Sequence, residues 1–248
     1  MSVSRPFAAD NRQPDPAVQP MHPCGACPVR SLSICAALDY HELDHLAEIV
    51  IAKNHQPHQT IFAEGDEATD LFNVTGGTVM LYKLLADGRR QITGFLFGGD
   101  FMGLSVGGVY AYSAEAITPV SICRFPRKRM EQMLDDFPKM QRRLFSMASN
   151  ELASAQDQML LLGRKTAKEK LASFLLNLSR RAVRRGQPDN PITVPMGRAD
   201  IGDYLGLTTE TVSRTVTQLK TASIIRLLDG HKIQIVDREA LEDIAEGL

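Results

Sequence analysis

The sequence predicts an α+β chain: an N-terminal antiparallel β-roll, one long helix, and a C-terminal winged helix-turn-helix. Three patterns carry that prediction. Short alternating segments punctuated by glycine fill residues 58–126, an unbroken helical stretch runs from Phe137 to Leu162, and a helix-turn-helix spacing around Gly202 and Gly206 is followed by a hairpin signal. The 248 residues suffice for two domains, and 44% hydrophobic with 23% charged residues is a soluble globular composition. No apolar run is long enough to span a bilayer and the N-terminus lacks the apolar core of a signal peptide, so a cytoplasmic location is expected.

Taken in order, residues 1–20 carry Pro6, Pro14, Pro16 and Pro20 among polar neighbours and are expected to be a disordered tail. The stretch Pro23 to Cys35 holds three of the four cysteines. Leu43, Leu46, Ile49 and Val50 then fall at helical spacing behind Asp39 as the expected cap. Strands are expected at Thr60–Phe62, Leu71–Val74, Thr78–Leu84, Arg90–Phe97 and Val120–Arg124, with turns at Gly65-Asp66, Gly76-Gly77, Asp87-Gly88 and Gly98-Gly99-Asp100. The sensor domain is thus placed at residues 21–136.

The long helix, residues 137–163, takes Pro138 in its first turn. Leu144, Ala148, Leu152, Ala155, Met159 and Leu162 are separated by steps of four or three, the spacing of a coiled-coil seam, and a parallel homodimer is its simplest partner. Residues 164–248 read as helices Thr166–Arg185, Arg198–Leu205 and Thr208–Ser223, then a hairpin of Ile224–Leu228 and His231–Ile235 about Asp229-Gly230.

Within that last third, Gly202 lets two helices approach, Gly206 suits the turn, and Ile201, Leu205, Leu207 and Val212 supply a buried face. Thr209, Glu210, Ser213 and Arg214 are left on the exposed face of the second helix. Arg pairs with guanine, Glu accepts from cytosine, and Ser reaches base or phosphate, so these four are the candidate DNA-reading residues. The whole chain has a net charge of −1, but from Arg164 onward fourteen Lys or Arg stand against eleven Asp or Glu, a net of +3, so the case for nucleic acid is local.

The cysteines admit several chemistries. In a reducing compartment Cys24, Cys27, Cys35 and the distant Cys123 are metal ligands or redox thiols before they are disulfides, and spacing alone does not separate zinc from iron-sulfur. Cys24-Gly25-Ala26-Cys27 matches the C-G-x-C of thioredoxin-like enzymes but follows a polar tail rather than a strand. His41 to His45 matches H-E-x-x-H, yet no third ligand follows at a recognisable distance. His22, His55, His58 and His231 read as solvated or hydrogen-bonded side chains. An enzyme is not expected.

The order roll, long helix and winged helix-turn-helix resembles the Crp-Fnr superfamily of bacterial transcription regulators, and Glu210-Thr211-Val212-Ser213-Arg214 resembles the recognition helix of its Fnr branch. That resemblance implies a roll of the cyclic-nucleotide-binding type and a palindromic DNA site with TTGAT-type half-sites. It also implies an oxygen-labile [4Fe-4S] cluster on Cys24, Cys27, Cys35 and Cys123, as in the Fnr homologues of α-proteobacteria. RNA polymerase is an implied partner, through the turn Ala86 to Gln91. A cyclic nucleotide is not expected, because Met102-Gly103-Leu104 and Ser113-Ala114 stand where the Crp branch has its acid and arginine. Ala155 stands where the enteric Fnr has an acid on the dimer helix, with Glu151 and Asp157 nearby, so oxygen control of dimerisation is expected to be less complete.

Overall fold

A computed structural model describes residues 24–248. The expected tail at 1–20, together with His22 and Pro23, lies outside the described residues.

The roll is two facing four-stranded sheets. One has the order β1 (Ile51–His55), β8 (Val120–Pro126), β3 (Asp70–Gly76), β6 (Phe101–Met102); the other has β2 (Thr60–Phe62), β7 (Ser113–Ala116), β4 (Val79–Leu84), β5 (Arg90–Leu96). All pairings are antiparallel. Between the sheets Phe62, Phe72, Val74, Val79, Leu81, Ile122 and others form a dry core. Strand alternation gives the first sheet a second buried face. Leu71 and Phe125 point away from that core into a separate apolar layer with Ile34, Leu38, Leu43, Leu46, Met130, Met133 and Met140.

That outer layer is capped by α1 (Leu43–Ile49), α2 (Arg127–Asp136) and the start of α3 (Pro138–Arg164). Pro138 sits in the first turn of α3, where its missing N–H leaves no bond unmade. Asp39 is not the side-chain cap of α1 that its position predicts. Its carboxylate pairs with Lys139 at 2.8 Å; Glu42 stands directly before the helix, but its side chain makes no capping bond and accepts from the Asp39 amide at 2.6 Å.

The C-terminal unit comprises α4 (Ala167–Arg184), β9 (Ile192–Thr193), α5 (Arg198–Leu205), α6 (Thr209–Thr221), the hairpin β10 (Ile225–Leu228) and β11 (Lys232–Ile235), and α7 (Arg238–Glu246). β9 joins the hairpin as a third strand. His231 lies in the hairpin turn with φ +57 rather than in the strand expected of it. A capping box between Thr166 and Glu169 starts α4 and marks the break from α3.

This unit docks on the roll of its own chain. Phe95, Phe174 and Tyr204 meet with ring centroids 5.0–6.1 Å apart, joining β5, α4 and α5. Arg90 pairs with Asp200 at 2.6 Å and Asp203 at 2.8 Å, and the Gln91 amide donates to the Asp203 carbonyl at 2.6 Å. Arg181 donates to the Phe95 carbonyl and pairs with Asp100.

Candidate metal centre and nucleic-acid interface

Cys123 belongs to β8, in register with Ala52 on one side and Asn73 on the other. It shares the strand face of Phe125, so alternation points it into the outer layer, where Cys24 and Cys35 also pack. The loop bearing the other three thiols is a run of tight turns: Cys27 N–H reaches back to the Cys24 carbonyl, and Arg30 N–H to that of Cys27. Ser33, wholly buried, then caps the 3-10 turn Ile34–Ala37 by accepting from the Cys35 amide at 3.3 Å.

The loop rests on the turn after β5. A Cβ at Gly99, whose φ is +99, would lie 2.6 Å from Leu32 Cβ, and one at Gly98 would lie 2.9 Å from Val29 Cγ1. The sequence marks these glycines as turn residues; their second duty, as a floor for the cysteine loop, needed the fold.

Cys24, Cys35 and Cys123 share one layer, and Cys27 lies near enough for its charge to act on each of them. Burial first, then the neighbouring Cys35, Cys24 and Cys27, push Cys123 up to about 12, and burial with Cys35 and Cys27 pushes Cys24 up to about 11. Cys35 is raised mainly by burial, against the Ser33 hydrogen bond. Without a cation the patch therefore favours neutral thiols, and a bound cation would reverse that preference. Among the described residues no three His, Cys, Asp or Glu side chains close on a single point tightly enough for one metal ion.

One feature of the patch suits a negatively charged thiolate group. Arg30 opposes the rise at Cys24 and Cys35, and its Nε is buried without a hydrogen-bond partner. Asn73, the cross-strand neighbour of Cys123, is not such a feature: its Nδ2 donates to the Val74 carbonyl at 3.2 Å, and its buried, unpartnered Oδ1 is an acceptor that offers nothing to a thiolate. The H-E-x-x-H match does not form a comparable site: α1 begins only at Leu43, Glu42 is paired with Lys139 at 2.6 Å, and His45 packs on Phe137.

In the DNA-reading unit α5 ends at Gly206 in the left-handed region, φ +63, and the Leu207 amide returns to the Gly202 carbonyl at 2.9 Å. A Cβ at Gly202 would lie 2.6 Å from the Leu207 backbone oxygen. Alanine gains about 1 kcal/mol of helix propensity over glycine, but the clash is with backbone and cannot be relieved by a rotamer. Gly202→Ala is therefore expected to destabilise this unit by about 1–3 kcal/mol, read as a lowered thermal midpoint; an unchanged or raised midpoint would contradict the packing argument.

Thr208 caps α6, accepting from the Thr211 amide at 3.1 Å. Val212, Thr215, Val216 and Leu219 are buried, leaving Thr209, Glu210, Ser213 and Arg214 exposed on the opposite side. The Ser213 hydroxyl donates to the Thr209 carbonyl at 2.9 Å. Docking on the roll covers α5, so the face of α6 remains free.

Of the expected dimer seam, Ala148, Leu152, Ala155 and Met159 are exposed, Leu152 by 61% and Met159 by 64%. The two ends turn inward. Leu144 packs in the outer layer beside the cysteines, and Leu162 lies against Gly206, 3.4 Å from where a Cβ would stand. Phe145, which the sequence reading passed over, is 75% exposed and continues the stripe at the same three-four spacing. In the turn Ala86 to Gln91, residues 86–89 are exposed while Arg90 and Gln91 are engaged with α5.

Fold and site together define a DNA-binding regulator: a winged helix-turn-helix docked on a sensor-type roll. A Crp-like helix-turn-helix domain matches residues 169–244 and a cyclic nucleotide-binding domain matches residues 52–137. The chain is 39% identical over 224 residues to the nitrogen fixation regulation protein FixK of Bradyrhizobium diazoefficiens, covering 90% of this chain and 94% of that one. It is 38% identical over 237 residues to the transcriptional activator protein FnrL of Cereibacter sphaeroides, covering 92% and 96%. The structure of FixK2 from Bradyrhizobium japonicum superposes with a TM-score of 0.74 at 39% identity, over 79% of this chain and 97% of that one. The chain belongs to the Crp-Fnr family, in its Fnr branch, and is a transcription regulator rather than an enzyme.

Proposed function

We propose that this regulator responds to oxygen through a [4Fe-4S] cluster held by Cys24, Cys27, Cys35 and Cys123, and that it acts mainly as a homodimeric activator of anaerobic or microaerobic genes in the cytoplasm. The observation that carries the reading is that the strand thiol Cys123 packs in one layer with the loop thiols Cys24 and Cys35 against the start of α3, with Cys27 near enough for its charge to act on all three. When bound, the group supplies oxygen-labile iron-sulfur chemistry.

The chain's own residues do the rest. The cysteine loop, seated on Gly98 and Gly99, packs against the first turns of α3 through the outer layer. The stripe Phe145, Ala148, Leu152, Ala155 and Met159 is the apolar face for a second copy. Two copies present two α6 helices to a palindrome, with half-sites about one DNA turn apart. RNA polymerase would be met through the exposed tip, residues 86–89.

A nucleotide is disfavoured as the signal because the groups nearest the missing acid and arginine are already used. The Gly103 amide donates to the Tyr112 hydroxyl at 3.2 Å, and the Ser113 hydroxyl accepts from the Glu64 amide at 2.9 Å. The competing reading keeps the DNA-binding regulator and replaces the cluster with structural zinc or a redox thiol site.

Anaerobic purification followed by absorption and Mössbauer spectra decides between them, and a colourless product with stoichiometric zinc would falsify the cluster. For the DNA interface, Arg214→Ala and Glu210→Ala are each expected to cost about 1–3 kcal/mol and to relax preference at one base position. Binding-site selection with each variant tests this, and unchanged preference in both would remove α6 as the reader.

A further inference from the structure

We propose that Arg143 is the positioning residue that couples the cysteine loop to the dimerisation face of α3, a role that rests on the reading of the four cysteines as a sensor. The side chain leaves the second turn of α3 and reaches three consecutive loop carbonyls. Its Nη2 donates to Leu32 at 3.0 Å and Ser31 at 3.3 Å, and its Nε donates to Ser33 at 3.3 Å. Ser33 in turn caps the 3-10 turn that holds Cys35. One guanidinium thus fixes the segment between Cys27 and Cys35 to the helix.

The position of Arg143 on the helix gives these bonds their leverage. At 3.6 residues per turn, Leu152 lies roughly 180° around the axis from Arg143, and Met159 roughly 160°. The loop grips one side of α3 while the exposed stripe occupies the other. A shift of Ser31 to Ser33 therefore tilts or turns the helix and moves the stripe directly, with no intervening flexible segment. Met140, Leu144 and Met147 flank Arg143 and pack in the same layer as Cys24, Cys35 and Cys123.

Lys139, one turn earlier, adds a second tether from α3 to the segment after the loop. It pairs with Asp39 at 2.8 Å and Glu42 at 2.6 Å. Those partners are exposed or half-exposed, so the pairs are screened and weak. Arg143 is half-buried, and its carbonyl acceptors are in the loop itself. A lysine in its place offers a point charge rather than a fork and cannot satisfy three spread acceptors from one planar group.

The test compares the wild-type full-length chain with Arg143→Ala, Arg143→Lys and, as a charge control one residue away, the exposed Arg142→Ala. After anaerobic reconstitution with iron and sulfide, each is assayed for iron content and, by sedimentation, for its dimer dissociation constant before and after air exposure. Arg143→Ala is expected to keep its iron but to lose roughly tenfold of the air-induced shift in that constant, with Arg143→Lys intermediate and Arg142→Ala like wild type. Equal iron content with an unchanged shift in Arg143→Ala overturns the proposal.

Should the wild-type chain bind no iron, the sensor reading fails by itself, and the coupling is decided on the metal-free proteins. Arg143→Ala must then raise amide hydrogen exchange at residues 29–38 and also change the dimer dissociation constant. Faster exchange without a change in dimerisation shows an anchor that serves only the loop, and it overturns the proposal as surely as no change in either.

Discussion

Cys123→Ser is expected to leave the roll folded and to abolish stable cluster binding. The strand position tolerates the change because Cys123 is a half-buried residue whose backbone is held by neighbours on both sides, β1 and β3. A serine oxygen is a poor replacement for a soft thiolate toward iron-sulfur, and no other cysteine is available, since the chain has four in all. The same reconstitution that loads the wild type should give a variant with little retained iron and a dimer fraction independent of air. Retention of a full iron complement would show that β8 does not contribute a ligand. Three cysteines and an outside ligand would then have to account for the site.

The second large effect is expected at Leu152→Glu. Leu152 is 61% exposed at the middle of the stripe, so a carboxylate there costs the single chain little. In a parallel dimer the same residue meets its own copy, and two carboxylates would face each other across an apolar seam. The dimer should be lost and, with it, the gain from binding two half-sites together. Affinity for a palindrome is expected to fall on the order of a hundredfold or more, while affinity for a single half-site stays the same. Sedimentation and titration against both DNAs check this, and a variant that remains dimeric would move the interface off α3.

Much of this architecture is written in local chemistry. Gly202 and Gly206 identify the helix-turn-helix because one must lack a side chain beside the Leu207 carbonyl and the other must adopt positive φ. The face of α6 follows from period alone: Val212 and Val216 are buried, and Glu210, Ser213 and Arg214 exposed, as their spacing requires. The three-cysteine loop is legible because thiols do not otherwise crowd a polar, proline-flanked segment.

Other elements were hidden for identifiable reasons. β1 reads Ile-Ala-Lys-Asn-His, largely exposed at the edge of its sheet, with no alternating apolar signal. β7 reads Ser-Ala-Glu-Ala, of poor strand propensity, and is a strand because β2 and β4 pair with it on either side. α2 follows Pro126 directly, with no side-chain cap to mark its start, and ends before the Phe137-Pro138 pair, which bars the helical backbone at Phe137.

The dimer stripe shows the division most clearly. The sequence by itself determined that α3 carries an apolar seam, since the three-four spacing of Ala148, Leu152, Ala155 and Met159 admits no other face. The sequence reading began that seam at Leu144 and passed over its neighbour Phe145, which keeps the three-four alternation. Only the tertiary structure told the two apart: the outer layer around the cysteines takes Leu144 and leaves Phe145 in solvent. The same holds for the thiols. Their number and type are matters of sequence, but the meeting of Cys123 with a loop some ninety residues earlier depends on β8 lying inside its sheet with that face turned outward, a consequence of strand order that no local pattern encodes.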